Sequence, residues 1–168
     1  MAEIILVTGG ARSGKSALAE RLAQSRGNKV IYIATSEPFD DEMQSRIDRH
    51  RARRDAGWRA VDAPLELPDM LVQTDGDATR LVDCLTMWLN NLIYHNRDVG
   101  DEMNRLIKVI SEQQADLVMV TNEIGSGLVP QTAEARKFRD LAGELNQMVA
   151  QAASQVYLSV SGIPVKIK

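Results

Sequence analysis

The strongest constraint on the fold is a glycine-rich loop near the N-terminus, placed between an apolar run and a helix-forming segment. The loop matches the pattern G-x-x-x-x-G-K-[ST] and reads Gly9-Gly10-Ala11-Arg12-Ser13-Gly14-Lys15-Ser16. The apolar run at 4–7 has the composition of a buried strand, and residues 15–26 are good helix formers. A strand, a glycine loop and a helix in this order aim successive backbone amides at phosphate oxygens. The sequence therefore predicts a phosphate-binding loop at the first strand of an α/β fold.

Two side chains of this loop have predicted roles in binding a nucleoside triphosphate. We expect the ammonium group of Lys15 to reach the β and γ phosphates and the hydroxyl of Ser16 to bind Mg²⁺. The metal also needs a carboxylate at the end of a nearby strand, and Asp83 follows the strand-like residues 80–82. The alternative for Asp83 is that it caps the helix beginning at Leu85. The alternative for the loop is a glycine turn that only precedes a helix, which the matching flanking segments disfavour.

Strand-like and helix-like segments alternate along the rest of the chain. Further strands are expected at 30–34, 80–83 and 117–121. The predicted helices are one capped by Asp40, one at 85–96, one at 101–114, and one with Pro130 in its first turn that ends near Ala153. Between Trp58 and Thr79 we expect irregular chain with one short helix at 68–73.

Two apolar runs close the chain, at 156–160 and 165–167. They flank Ser161-Gly162-Ile163-Pro164, which predicts a C-terminal antiparallel hairpin with Pro164 near its edge. The whole pattern predicts a single domain, residues 1–168, with a mainly parallel central sheet. Its ligands should gather beyond the carboxyl ends of the strands.

Composition narrows the class of protein. A chain of 168 residues with 44% hydrophobic and 26% charged residues has the make-up of one globular domain. Its formal net charge of -3 gives no overall basic field for nucleic acid. The single cysteine, Cys84, can form no internal disulfide, and no Cys and His cluster has zinc-ligand spacing. With neither a signal peptide nor a membrane-length apolar stretch, we expect a cytoplasmic protein that binds small polyanions.

One of the two histidines lies in a strongly basic segment. His50 stands among the arginines of 46–54 and shares a predicted helix face with Met43 and Ile47. Its imidazole could attack an α-phosphate if nearby arginines offset the developing charge. The alternative is a histidine at the edge of the core beside a solvated charged face. His95 has no comparable neighbours and is interpreted as a surface residue.

Six segments in this order together resemble the bifunctional adenosylcobinamide kinase/adenosylcobinamide-phosphate guanylyltransferase family of cobalamin biosynthesis. The resemblance runs from end to end of the chain. The segments are the phosphate loop, Ile33-Ala34-Thr35-Ser36, Asp41-Glu42-Met43, Arg46-Ile47 with His50, Thr121-Asn122-Glu123 with Gly125 and Gly127, and Val160-Ser161-Gly162.

The resemblance implies a three-layer P-loop fold of the RecA type, a homotrimer, and one nucleotide site for two reactions. In the first, ATP or GTP phosphorylates adenosylcobinamide. In the second, GMP passes from GTP through a guanylylated histidine to give adenosylcobinamide-GDP. His50 inherits the role of the nucleophile. Contacts to the guanine nucleotide or its metal are implied for Ala34, Thr35, Ser36, Arg51, Ala52, Arg53, Arg54, Asp62 and Asp83.

Two positions depart from the family pattern. Asp62 is a shorter acid where glutamate is expected, and Arg49 stands where some members have a second histidine beside the first. The spacing from Arg46 assigns the nucleophile to His50, which lies on the helix face of Ile47, whereas Arg49 points about 100° away.

Two other functions remain alternatives from the residues alone. In a simple small-molecule kinase the arginines near His50 would close over the phosphates and the histidine would be structural. In a nucleotide-binding switch the γ-phosphate would order a loop read by a partner. The glycine loop at 122–130 either helps bind the acceptor or is a connection that needs sharp turns.

Overall fold

The computed structural model describes residues 2–37, 57–76 and 78–168. The helix predicted after Asp40, with His50 and the arginines around it, lies outside these ranges. Within them the chain forms seven strands: β1 (Ile4–Gly9), β2 (Val30–Ala34), β3 (Trp58–Asp62), β4 (Thr79–Asp83), β5 (Leu117–Asn122), β6 (Gln155–Val160) and β7 (Ile163–Lys166). The helices of the described chain are α1 (Lys15–Gln24), α2 (Leu67–Gln73), α3 (Leu85–Tyr94), α4 (Val99–Ser111) and α5 (Ala133–Ala152).

The strands make one sheet in the order β3-β2-β4-β5-β1-β6-β7. Every neighbouring pair is parallel except β6 and β7, which form an antiparallel hairpin. The prediction of a mainly parallel sheet with a C-terminal hairpin is therefore confirmed. Because parallel strands run the same way, the carboxyl ends of β1 to β6 all lie at one edge of the sheet.

Alternation of side chains along the central strands builds a core on each face of the sheet. Ile4 and Leu6 of β1 pack in a cluster with α2, α3, α4 and α5, whereas Ile5 and Val7 pack in a second cluster with α1. These four side chains are buried because a strand covered on both faces has no solvent side, which explains its continuous apolar sequence. The three layers are therefore helices α2 to α5 on one face, the sheet in the middle, and helix α1 on the other face.

Strand β3 is the principal error of the sequence-based prediction. The segment 58–62 was expected to be irregular, but it pairs in parallel register with β2 at one edge of the sheet. Arg59, Ala60 and Asp62 are exposed there. An edge strand that buries little has no apolar run to reveal it, since strand patterns in sequence report burial. The short helix expected at 68–73 is present as α2.

Several other boundaries differ from the prediction, such as the helix predicted at 101–114, which is α4 at Val99–Ser111, and two of the differences have a clear local cause. Helix α5 begins at Ala133, and Thr132 caps it by accepting a hydrogen bond from the amide of Ala135, so Pro130 precedes the helix and is not in its first turn. In the hairpin only Ser161 and Gly162 form the turn, with φ of 52° and 81°. Two consecutive left-handed residues make a tight turn whose twist matches paired strands, and Pro164 therefore lies within the edge strand β7.

In the described ranges, helices long and apolar enough to cross a membrane are absent.

Candidate active site

Most of the predicted site residues that the structure describes meet at the carboxyl edge of the sheet. Strand register places the end of β1 beside that of β5, and the end of β4 beside that of β2. The strands end at Gly9, Asn122, Asp83, Ala34 and Asp62. The edge thus collects the phosphate loop, the predicted metal carboxylate and the 34–36 segment, although they are far apart in sequence.

The phosphate loop, 9–16, connects β1 to α1 with glycine at two crowded points. A Cβ atom on Gly9 would lie 2.6 Å from the main-chain oxygen of Ser159, and one on Gly14 would lie 3.1 Å from the Cα of Gly162. Gly14 also has a left-handed φ of 90° and directly precedes the first residue of α1. These glycines let the loop wrap the start of α1, whose free amides and positive dipole end favour a bound anion.

Lys15 folds back over its own loop. Its Nζ donates a hydrogen bond of 3.0 Å to the carbonyl oxygen of Gly10. Partial burial lowers the pKa of Lys15 below its usual value, and the nearby carboxylate of Asp83 opposes this shift. The ammonium group therefore stands in a medium less polar than water, where its attraction for a phosphate is strengthened.

Asp83 lies at the end of β4, close enough to Lys15 for the two charges to interact. One carboxylate oxygen accepts a hydrogen bond of 3.2 Å from the phenol of Tyr32, which is buried in β2. The N-cap of α3 is Cys84, not Asp83, so the alternative capping role is not observed. The carboxylate instead interacts with the phenol of Tyr32 and with the charge of Lys15.

Cys84 itself is not a candidate nucleophile. The residue is buried, and this burial, with the charge of Asp83, raises the pKa of its thiol to about 12. A thiol that stays protonated at neutral pH is a poor nucleophile and metal ligand.

The 34–36 segment is anchored from beneath. The hydroxyl of Thr35 is fully buried, donates to the carbonyl of Cys84 at 2.6 Å and accepts from its amide at 2.8 Å. The side-chain amide of Asn91 donates to the carbonyls of Thr35 and Pro64. The Thr35 hydroxyl therefore makes its hydrogen bonds inside the protein, and Ser36 beside it is half-buried at the carboxyl edge of the sheet.

The remaining predicted site residues lie at the surface or outside the described residues. Asp62 is exposed at the end of β3, opposite Ala34 in the register. His95 lies at the C-terminal end of α3, where its Nε2 is 3.1 Å from a carboxylate oxygen of Glu37, as befits a surface residue. His50 and Arg51, Ala52, Arg53 and Arg54 lie outside the described residues.

Sequence reasoning missed the contacts that three residues of the site make. Tyr32 was interpreted only as part of an apolar strand, and nothing in its sequence neighbours indicates that it reaches Asp83. Ser159 looked like one small residue of a hairpin strand, yet its side chain contacts the phosphate loop. Glu123 was noted in a glycine loop; its amide donates to the carbonyl of Gly9, and its carboxylate accepts from the amide of Gly125.

A phosphate loop at the first strand, a lysine folded over it and a carboxylate two strands away define a P-loop nucleotide-binding protein. Solved structures agree on the fold. The chain superposes on a Pyrococcus horikoshii OT3 protein with a TM-score of 0.56 at 10% identity, covering 99% of this chain and 86% of that one. It superposes on the RadB recombinase with a TM-score of 0.53 at 16% identity, covering 93% of this chain and 73% of that one.

Residues 5–167 match the sequence model of the cobinamide kinase / cobinamide phosphate guanyltransferase family, and the chain belongs to this family. The bifunctional adenosylcobalamin biosynthesis protein CobP of Pseudomonas aeruginosa is 43% identical over 167 residues, 97% of this chain and 96% of that one. The CobU proteins of Salmonella typhimurium and Escherichia coli are 43% and 42% identical, each over 98% of this chain and 99% of theirs.

The protein is therefore an enzyme of cobalamin biosynthesis with cobinamide kinase and cobinamide-phosphate guanylyltransferase activities. Its substrates are nucleotides and cobinamide. The family resemblance inferred from the sequence is confirmed, and membership favours the two-step enzyme over the simple kinase and the nucleotide-binding switch.

Proposed function

We propose that one nucleotide site at the carboxyl edge of the sheet serves both reactions in turn. The observation that carries this proposal is the convergence of Lys15 and Asp83. Lys15 begins helix α1 and Asp83 ends strand β4, yet their charges interact beside the glycine loop. Both transfers use the same triphosphate chain, so both need this phosphate cradle.

In the kinase step, the hydroxyl oxygen of the aminopropanol group of adenosylcobinamide attacks the γ-phosphorus of ATP or GTP. A new oxygen–phosphorus bond forms, the bond to the β–γ bridging oxygen breaks, and the hydroxyl proton leaves. Lys15 and the loop amides stabilise the negative charge that develops on the leaving diphosphate. Since the Lys15 ammonium is partly buried, this stabilisation is larger than it would be in water.

The donor set of the site fits Mg²⁺. Ser16 in the first turn of α1 offers a hydroxyl, and Asp83 offers a carboxylate that the phenol of Tyr32 orients. Hard oxygen ligands in small number suit Mg²⁺, which keeps several waters and binds phosphate oxygens directly. When bound, the ion would neutralise charge on the β and γ phosphates.

In the guanylyl step, a neutral imidazole nitrogen of His50 attacks the α-phosphorus of GTP and pyrophosphate leaves. The phosphate of adenosylcobinamide phosphate then attacks the same phosphorus, releases His50 and forms adenosylcobinamide-GDP. Support comes from the sequence, where Arg51, Arg53 and Arg54 supply positive charge beside the nucleophile. We assign the contacts to the guanine nucleotide to these three arginines, to Ala52 and Asp62, and to the 34–36 segment.

The decisive experiment uses GTP labelled at the α-phosphate. The enzyme is incubated with Mg²⁺ and labelled GTP, denatured, and tested for protein-bound label that acid releases. His50→Ala should abolish the label, because no imidazole remains to attack. His95→Ala is the matched control, since it removes the other histidine, which pairs with Glu37 at the surface. Label that persists in His50→Ala, or vanishes equally in both variants, would contradict the histidine intermediate.

The metal assignment has its own test. Asp83→Asn keeps the shape and an oxygen that can still accept from Tyr32, but loses the charge that Mg²⁺ needs. We expect this variant to need far more Mg²⁺ for phosphorylation of cobinamide. Asp116→Asn is the control and should retain the wild-type requirement, because Asp116 precedes β5 at the opposite edge of the sheet, where it pairs with Arg26. An unchanged Mg²⁺ requirement in Asp83→Asn would exclude Asp83 as a ligand.

Assembly and location complete the proposal. We propose a homotrimer working in the cytoplasm. The outer strand β7 supports self-association, because its Ile163 and Val165 are 65% and 46% exposed, and apolar side chains on an edge strand favour pairing with another chain. Light scattering of the purified enzyme should give three times the chain mass, and a monomer would contradict the trimer.

A further inference from the structure

We propose that Ser159, on β6, is a positioning residue that fixes the phosphate loop in its binding conformation. Its hydroxyl donates a hydrogen bond of 2.7 Å to the carbonyl oxygen of Ser13 in the loop. The amide of Gly162, in the hairpin turn, donates to the same oxygen at 2.8 Å. Ser159 is 2% exposed, so water does not compete for its hydroxyl.

Because the peptide bond is planar, the hydrogen bonds to the Ser13 carbonyl also fix the direction of the Gly14 amide. In a trans peptide the carbonyl of Ser13 and the N–H of Gly14 point in opposite directions. Two donors on the Ser13 carbonyl therefore keep the Gly14 amide turned away from the hairpin. An anion-binding loop depends on such an arrangement, because its amides must face the phosphate and its carbonyls must find partners elsewhere.

Without the hairpin, this peptide plane would be easy to turn. Gly14 has no side chain to resist rotation, and it already occupies a left-handed conformation with φ of 90°. The hairpin turn lies close enough to Gly14 to resist rotation of this peptide plane, since a Cβ on Gly14 would lie 3.1 Å from the Cα of Gly162. The C-terminal hairpin thus supports the N-terminal loop across 146 positions of sequence.

The test compares two serines of the same region. Ser159→Ala removes the donor to the phosphate loop. Ser154→Ala is the matched control: its hydroxyl donates to the carbonyl of Ile4 and accepts from the amide of Ile4, at the opposite end of β1. Both variants lose a hydroxyl that joins the chain after α5 to the N-terminal part of the protein, but only Ser159 touches the loop.

Titration calorimetry with GTP and Mg²⁺ should show a dissociation constant raised about fivefold to tenfold in Ser159→Ala, the loss expected for one buried hydrogen bond. Ser154→Ala should bind within about twofold of wild type, even if both variants lose similar thermal stability. Ser159→Thr keeps the hydroxyl and should recover most of the affinity. The KM for the phosphoryl donor should rise with the dissociation constant.

Equal affinity in Ser159→Ala and wild type would overturn the proposal, and so would an equal loss in Ser154→Ala. The proposal rests on nucleotide binding at the phosphate loop and not on the histidine intermediate. A failure to detect guanylylated His50 would therefore leave this binding test intact.

Discussion

Replacing Gly9 by alanine tests whether the crowding at the end of β1 is as severe as the structure indicates. The added Cβ would lie 2.6 Å from two atoms, the main-chain oxygen of Ser159 and the hydroxyl oxygen of Ser13. The Ser13 hydroxyl can rotate away. The Ser159 oxygen cannot, because it belongs to strand β6, which pairs directly with β1 at Gly9.

The size of the effect follows from this distance. Ordinary contact begins at 3.4 Å, so the two strands must separate by about 0.8 Å at this point. Forcing one extra carbon into a packed site costs about 1–3 kcal/mol. For a domain of this length a loss of about 2 kcal/mol lowers the midpoint of thermal unfolding by roughly 4–8 °C.

The neighbouring glycine supplies the control. A Cβ on Gly10 would meet nothing within 4 Å, and Gly10 has no positive φ. Gly10→Ala should therefore unfold within about 0.5 kcal/mol of wild type. Both variants are compared by urea and thermal denaturation without nucleotide. If Gly9→Ala were as stable as Gly10→Ala, the close approach of β6 to the phosphate loop would be refuted.

Three further predictions concern charge and the thiol. Asp75→Ala should lower the free energy of unfolding, measured by urea denaturation, by about 3 kcal/mol, because the buried Arg80 loses its carboxylate partner. The control Asp69→Ala, which breaks an exposed ion pair, should cost less than about 1 kcal/mol. Burial lowers the pKa of Lys15 below its usual value of 10.5, so in the free enzyme the ammonium group loses its proton as the pH rises through this lowered pKa. GTP affinity should fall over the same range, and an affinity that does not change up to pH 10.5 would contradict the prediction. Cys84 should react with a disulfide reagent at pH 8 only after unfolding, because the thiol is buried and its pKa is raised to about 12, which keeps it protonated.

The layered fold could be predicted from sequence wherever burial leaves a periodic signal. β1 and β5 are covered on both faces, so they appear as continuous apolar runs that identify a parallel sheet. The edge strand β3 buries little and carries no such run, and it was predicted as irregular chain. Pro130 fits the first turn of a helix in general, but the cap at Thr132 decided where α5 begins.

The residues of the site also fall into those that the sequence predicts and those that only the tertiary structure reveals. The sequence by itself predicted the phosphate loop, Lys15 and Asp83 as site residues, because a local motif carries its own chemistry in consecutive residues and in the ends of buried strands. Only the tertiary structure decided that Tyr32 orients Asp83 and that the hydroxyl of Ser159 supports the loop. These contacts join residues 51 and 146 positions apart, and a hydrogen bond between distant residues leaves no periodic trace in one chain.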